Sequence, residues 1–205
     1  KDDDFNVLYH EDCMKQDLAS LGYTALALNE AEAICYSELE DVDFTGIASS
    51  WGAGCVNVCV MSSGEAIIKF SLAKSGDAVD RMAAAATGEP DSVVQFDKEH
   101  GDFVIGQEHP TSRILTAVSL SYIRLIDYFI KNLELKLNRA ADLPKFPNPI
   151  PLVVAGGTSL AKGFIPYLEA GLQQCQLPLK ISSVRHASDP LHSVARGCLV
   201  ASALL

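Results

Sequence analysis

Val153-Val154-Ala155-Gly156-Gly157-Thr158-Ser159-Leu160-Ala161-Lys162-Gly163-Phe164 is the stretch that decides the fold. Its apolar start, with Leu152 before it, reads as a short strand, Leu152 to Ala155. The strand breaks at Gly156-Gly157 and passes through Thr158-Ser159 into a helix expected around Phe164 to Cys175. Downstream, Leu179 to Ser183 is predicted as the next strand, and Asp189-Pro190 opens a terminal helix to Leu204. Upstream, Pro144, Pro147, Pro149 and Pro151 make a stiff loop that follows a long helical pattern from Pro110 to about Arg139. In that pattern Tyr122, Tyr128 and Phe129 read as core residues.

Further toward the N-terminus, three short segments follow closely: Phe44 to Ser50, Cys55 to Met61 and Ala66 to Leu72. The turns between them, Trp51-Gly52-Ala53-Gly54 and Ser62-Ser63-Gly64-Glu65, carry hairpin chemistry, so the segments read as an antiparallel meander. A helix is expected over Asp77 to Ala86, and a small hairpin over Val93 to Phe96 and Phe103 to Ile105. Before the meander, Phe5 to Tyr9 and Tyr23 to Leu28 read as strands, Asp12 to Leu21 as a helix stopped by Gly22, and Glu30 to Leu39 as a helix. From Phe44 the order is β-β-β-α-β-α-β-α. Three antiparallel strands followed by parallel strands with crossover helices make an α/β, ribonuclease H-like fold with a short inserted subdomain at 77–110.

Composition narrows the function. The chain is 48% apolar and 20% charged, the balance of a packed soluble protein. Sixteen Lys plus Arg against twenty-six Asp plus Glu give a net charge of −10, and no basic patch offsets it, so no nucleic-acid role is expected. Apolar runs fall far short of the roughly 20 residues a membrane span requires. The six cysteines, Cys13, Cys35, Cys55, Cys59, Cys175 and Cys198, lie in apolar settings without a CxxC pair. They read as small core hydrophobes of a reducing, cytoplasmic compartment, with no metal expected.

Two glycine turns follow strands on what should be one side of the sheet, Ser50-Trp51-Gly52-Ala53-Gly54-Cys55 and Ala155-Gly156-Gly157-Thr158-Ser159. Backbone that approaches a phosphate or a sugar closely needs residues without a Cβ, and amides exposed at a turn bind anions. Together with Leu28-Asn29-Glu30-Ala31-Glu32-Ala33 and Asp189-Pro190-Leu191-His192-Ser193-Val194-Ala195-Arg196-Gly197-Cys198, these turns resemble the nucleotide cleft of the actin and DnaK-type ATPase superfamily. Val153 to Phe164 is similar to its adenosine motif. The segments at 28–33 and 189–198 are similar to its two connecting segments, and Ala195 and Gly197 would allow a close helix crossing there.

The resemblance implies ATP or ADP with magnesium as cofactor. It implies contacts from Gly52, Ala53, Gly54, Cys55, Gly156, Gly157, Thr158 and Ser159, with Gly156 bare so that the ribose can approach. Glu30 matches the residue that orients the attacking water, the one catalytic assignment. Where the superfamily reads Asp-x-Gly-x-Gly-Thr-x-Asp, this chain has Ser50, Gly52, Gly54, Cys55 and Asn57. A neutral Ser cannot anchor a hard divalent cation, so hydrolysis is expected to be weak or absent. The same substitutions leave too few carboxylates for a two-metal nuclease. Lys74, Asp80 and Arg81 read as a solvated helix face and are given no ligand.

The first phosphate hairpin and most of the superfamily's first domain have no counterpart. Residues 1–40 therefore read as a remnant of that domain with its crossover helix, and 41–205 as the second domain. The chain reads as a fragment whose open edges are covered by the missing first domain, or by another copy in a homo-oligomer. The function expected is an adenine-nucleotide-binding domain of an actin-like or chaperone-like ATPase. The alternative is a scaffold or filament-forming protein that no longer uses nucleotide.

Overall fold

The structure, a computed structural model, describes residues 8–204. Its strands are β1 (Gly46–Trp51), β2 (Val56–Ser62), β3 (Glu65–Leu72), β4 (Ile150–Ala155) and β5 (Ile181–His186). Its helices are α1 (Leu8–Ser20), α2 (Glu30–Glu38), α3 (Gly76–Thr87), α4 (Asp91–His100), α5 (Arg113–Arg139), α6 (Phe164–Leu172) and α7 (Ser193–Leu204). One sheet runs β3-β2-β1-β4-β5. β1, β2 and β3 pair antiparallel, whereas β1 with β4 and β4 with β5 pair parallel. This is the ribonuclease H-like order read from the sequence.

Alternation along the central strands builds two cores. Ile47, Trp51, Val58, Val60, Leu152 and Val154 pack with α3, α5 and α6 on one face. Ala48, Cys59, Met61, Val153 and Ala155 pack with α2 and α7 on the other. Trp51 anchors the larger core, its ring centroid 4.6 Å from that of Phe129 and 4.9 Å from that of Phe164. Its indole N–H donates to Ser49 Oγ at 2.9 Å, so the buried polar tip is satisfied.

Several expected elements change. Of the run Phe5 to Tyr9, residues 5–7 lie outside the described residues, while 8 and 9 open α1. Tyr23 to Leu28 forms no ladder, because no strand lies beside it among the described residues; Tyr23 and Leu26 are exposed. Gly22 does end α1, in the left-handed region at φ 88°, with its N–H on the Ala19 carbonyl.

The hairpin expected at 93–105 is instead α4 followed by a loop. Pro90 precedes the first turn, Val94 is fully buried on the helix's inner face, and Lys98 one turn on reaches Asp80. Phe103 to Ile105 is tied by its backbone: the Ile105 amide donates to the Lys162 carbonyl, and the Val104 carbonyl accepts from the Ser119 hydroxyl. The long helix begins at Arg113, where Ser112 Oγ accepts from the Leu115 amide. Tyr122 and Phe129 lie in its buried face as read, and Tyr128 packs on the edge of that core. β5 lies two residues later than expected at its start, α6 ends at Leu172, and α7 begins at Ser193.

α2 and α7 cross in backbone contact. A Cβ built on Gly197 would lie 1.7 Å from the Ala33 carbonyl oxygen. Gly197 thus has the role expected for it, whereas Ala195 faces solvent. The far end of α2 is held by its Glu38 carboxylate, which accepts from Arg185 at 2.8 Å, the Ser188 hydroxyl at 2.7 Å and the Ser188 amide at 3.0 Å. Burial pushes the Glu38 pKa up, but the Arg185 and Ser188 hydrogen bonds outweigh it and hold the group below its ordinary range.

Gly197→Ala should lower stability by about 3 kcal/mol in chemical denaturation, since the added Cβ forces the two helices apart. The Glu38 network is at full strength above the unfolded carboxylate pKa of about 4.3 and is lost as pH falls through the lower folded value. Between about pH 5 and pH 3 the wild-type unfolding midpoint should therefore fall more steeply than that of Glu38→Gln.

Candidate functional site

The parallel pairing of β1 with β4 runs from Ile47↔Leu152 to Ser50↔Ala155, so both strands end at one level. The turns that follow them, 52–55 and 156–159, consequently meet. The Gly52 carbonyl is their junction. It accepts from Thr158 Oγ1 at 2.8 Å, from Ser75 Oγ at 2.6 Å and from the Gly76 amide at 3.2 Å. One turn is thereby joined both to the other and to the start of α3.

A cleft of about 670 Å³ opens beside this junction. Of the residues expected to bind nucleotide, Gly52, Ala53, Gly157 and Thr158 line it. Gly54 and Cys55 are exposed at the outer end of their turn. Gly156 and Ser159 do not line it, and Ser159 is fully buried with its hydroxyl donating to the Gly156 carbonyl at 2.7 Å. The hydroxyls of Thr158 and Ser159 are thus both spent inside the fold, which leaves backbone amides as the free donors of these turns. Those of Ala53 and Gly54 have no hydrogen-bond partner among the described residues.

The glycines differ in what requires them. Gly156 has φ 96°, and a Cβ there would lie 2.3 Å from the Trp51 carbonyl oxygen and 2.8 Å from the Trp51 nitrogen. The fold alone therefore demands glycine at 156, apart from any approaching ribose. At Gly52 the nearest atom to a Cβ is the Cys55 oxygen at 3.7 Å, at Gly157 it is Leu191 Cδ2 at 4.0 Å, and at Gly54 nothing lies within 4 Å. None of these three has a positive φ. Neither backbone geometry nor packing calls for glycine there.

Glu30 starts α2, whose Asn29 cap accepts from the Ala31 amide at 2.9 Å. Its Oε2 accepts from Ser50 Oγ at 2.8 Å and from Asn57 Nδ2 at 3.1 Å. Asn57 Oδ1 in turn accepts from Ser71 Oγ at 2.5 Å. Positions 50 and 57, read from the sequence only as losses of acid, here supply the donors that hold Glu30. Glu30 and Asn57 line a separate groove of about 890 Å³ between the sheet edge and α1, not the cleft beside the turns. Beside them, burial first and the Glu30 charge second raise the Cys55 thiol pKa, with the Asn57 hydrogen bond opposing.

Sequence reasoning missed the far wall of the cleft. Asp80, read as solvated, is 7% exposed, and its Oδ2 accepts from Lys98 Nζ at 2.7 Å. Burial raises its pKa, and Lys98 opposes the rise. Burial also pushes the hydroxyl of Tyr122, a neighbour on the same wall, well up. The sequence signal was present in the i, i+4 spacing from Gly76 to Asp80. It could be read only with α4 known to be a helix, since α4 supplies Lys98. Lys74 is exposed and sits over the Tyr128 ring, and Arg81 is also exposed, so neither joins the cleft.

The sequence pattern of the Volactin family matches residues 1–202. The chain belongs to the Volactin family. No curated protein matches it. Among solved structures, this Volactin-family chain is similar to the MamK double helical filament, with 20% identity and a TM-score of 0.73 over 96% of the chain and 65% of that one. A non-polymerising MamK mutant bound to AMPPNP follows at 22% identity and a TM-score of 0.64, covering 86% of the chain and 59% of the mutant. The ethanolamine utilization protein EutJ from Carboxydothermus hydrogenoformans aligns at 17% identity and a TM-score of 0.57, over 84% of this chain and 54% of its own. The fold is actin-like. The Volactin-family chain spans between 54% and 65% of the lengths of these neighbours. Among its described residues no helix is long and apolar enough to cross a membrane.

Gly156→Ala should destabilise the protein by several kcal/mol, about 3 or more, because backbone atoms on both sides must move. Gly157→Ala and Gly54→Ala should stay within about 1 kcal/mol of wild type in the same denaturant titration.

Proposed function

We propose that this Volactin-family chain is an adenine-nucleotide-binding unit of an actin-like protein, with hydrolysis weak or absent in the chain itself. The observation that carries the reading is the pair of turns facing one cleft, lined by glycines at 52 and 157 that the fold does not require. A ligand that must touch backbone accounts for them. The free amides of Ala53 and Gly54, with those that open the turn at Gly157, would hold phosphate oxygens. The MamK neighbour bound to AMPPNP supports a nucleotide as that ligand.

Magnesium held by side chains does not fit. The expected acidic positions are the neutral Ser50 and Asn57, and the one carboxylate beside them, Glu30, already accepts two hydrogen bonds on Oε2. Among the described residues no group of three or more His, Cys, Asp or Glu could hold a metal. Glu30 is proposed to orient water rather than bind metal, and the lack of charge at 50 and 57 argues for slow or absent turnover.

Residues 1–40 are proposed as part of a first domain and 41–205 as the second, with 77–110 inserted into it. None of the described residues of α1 belongs to either core, and Met14, Leu21, Tyr23 and Leu26 are between 65% and 72% exposed. The rest of that first domain, or another copy of the chain, would cover them. Six unpaired thiols fit a reducing, cytoplasmic setting. A second reading, a scaffold or filament protein that has given up nucleotide, draws on the neutral pair Ser50 and Asn57 and on the MamK filament.

Calorimetric titration of the full-length protein should show ATP binding at submillimolar concentration, changed by EDTA no more than about threefold and weakened about tenfold or more by Gly157→Val. Absence of binding at millimolar ATP would favour the scaffold.

A further inference from the structure

Helix α5 carries a second stripe beside the face it buries. Arg113, Ala117, Leu120 and Arg124 recur at spacings of four, three and four, which keeps them on one side of the helix. Val118, Tyr122 and Leu125 enter the larger core, whereas Arg113, Leu120 and Arg124 are exposed and Ala117 is half-buried. Arg113 Nη2 donates to the Ala86 carbonyl at 3.2 Å, which pins the start of α5 to the end of α3. Met82 and Ala86, four residues apart on α3, face the stripe across a groove of about 400 Å³.

This groove is the exception on an acidic protein. The net charge is −10, yet among the described residues no Asp or Glu lines the groove. Asp80, Glu89, Glu108 and Asp127, close by in sequence, all lie outside it. Arg124 has no hydrogen-bond or ion-pair partner among the described residues. Arg113 gives one donor to Ala86 and keeps the rest of its guanidinium free. Between the two arginines the lining is largely apolar, with Leu120 53% exposed and Met82 an adaptable, unbranched side chain. The arginines are eleven residues apart, about three helical turns or 16 Å along the axis.

The matching occupant brings carboxylates and apolar side chains in a single stripe. Two packed helices leave a groove in which a third helix can lie. A helix with acidic residues three turns apart and apolar residues between them pairs its charges with Arg113 and Arg124 while it covers Met82 and Leu120. A bare polyanion would leave that apolar surface in water. We propose that the α3–α5 groove is the docking site of a protein partner that lays an acidic amphipathic helix along it. No residue of this groove lines the cleft beside the glycine turns, so the proposal stands whether or not that cleft takes nucleotide.

The test pans a displayed library of random peptides of about 16 residues, long enough to span both arginines, on the full-length protein. Enriched peptides are then synthesised with a fluorescent label and titrated by anisotropy. They should be acidic, with apolar residues at helical spacing, and should bind the double variant Arg113→Glu with Arg124→Glu about tenfold or more weakly. Leu120→Asp should weaken them comparably. Lys131→Glu with Arg139→Glu, the same change of charge farther along α5, should stay within about threefold of wild type. Circular dichroism melting checks that each variant is folded. No enrichment, enriched peptides without an acidic excess, or equal loss in the two double variants overturns the proposal. Sedimentation of each protein alone covers a second copy as occupant: self-association lost only in the groove variants would assign the groove to the chain itself and overturn the proposal too.

Discussion

Everything at the candidate site depends on the backbone contact between the end of β1 and the residue after β4. Parallel pairing brings Ser50 level with Ala155, and the chain must then turn without a side chain where Gly156 meets the Trp51 backbone. Trp51 cannot yield, because its ring is locked between Phe129 and Phe164 in the larger core. Rigidity deep in the sheet thus passes directly into the position of both turns. The Gly52 carbonyl, with three donors converging on it, carries that position to α3 and so to the opposite wall.

On the other face, α2 is set by a crossing that admits no side chain at Gly197 and by the Glu38 network at its far end. Its near end presents Glu30 to Ser50 and Asn57. A carboxylate held by two neutral donors is oriented without a cation, whereas clustered carboxylates would repel one another and need one. Ser50 and Asn57 thus orient Glu30 by hydrogen bonding among the protein's own groups, and Ser71 completes the chain by satisfying Asn57.

The cleft itself is asymmetric in chemistry. The turn side offers amides and bare glycines, which suit an anion in close contact with backbone. The α3–α4 side offers Asp80 tied to Lys98 in a setting that excludes most water.

Local signals in the sequence were enough for the sheet: the turns at 51–54 and 62–65, the apolar run at 152–155 and the break at Gly156-Gly157 each depend on neighbours within a few residues. They were also enough to place the two glycine turns at the ends of β1 and β4. Tertiary structure decided the rest, because the remaining elements depend on partners distant in the chain. Tyr23 to Leu28 has strand composition but no neighbour to pair with, and residues 93–96 are helical because Val94 has a core to enter and Lys98 has Asp80 to reach. Only the fold distinguishes Gly156, required by Trp51, from Gly157, required by nothing within the chain. Only the fold shows that Ser50 and Asn57 face Glu30 and that Asp80 is buried, since hydrogen bonding and burial are set by packing between segments that sequence order keeps apart.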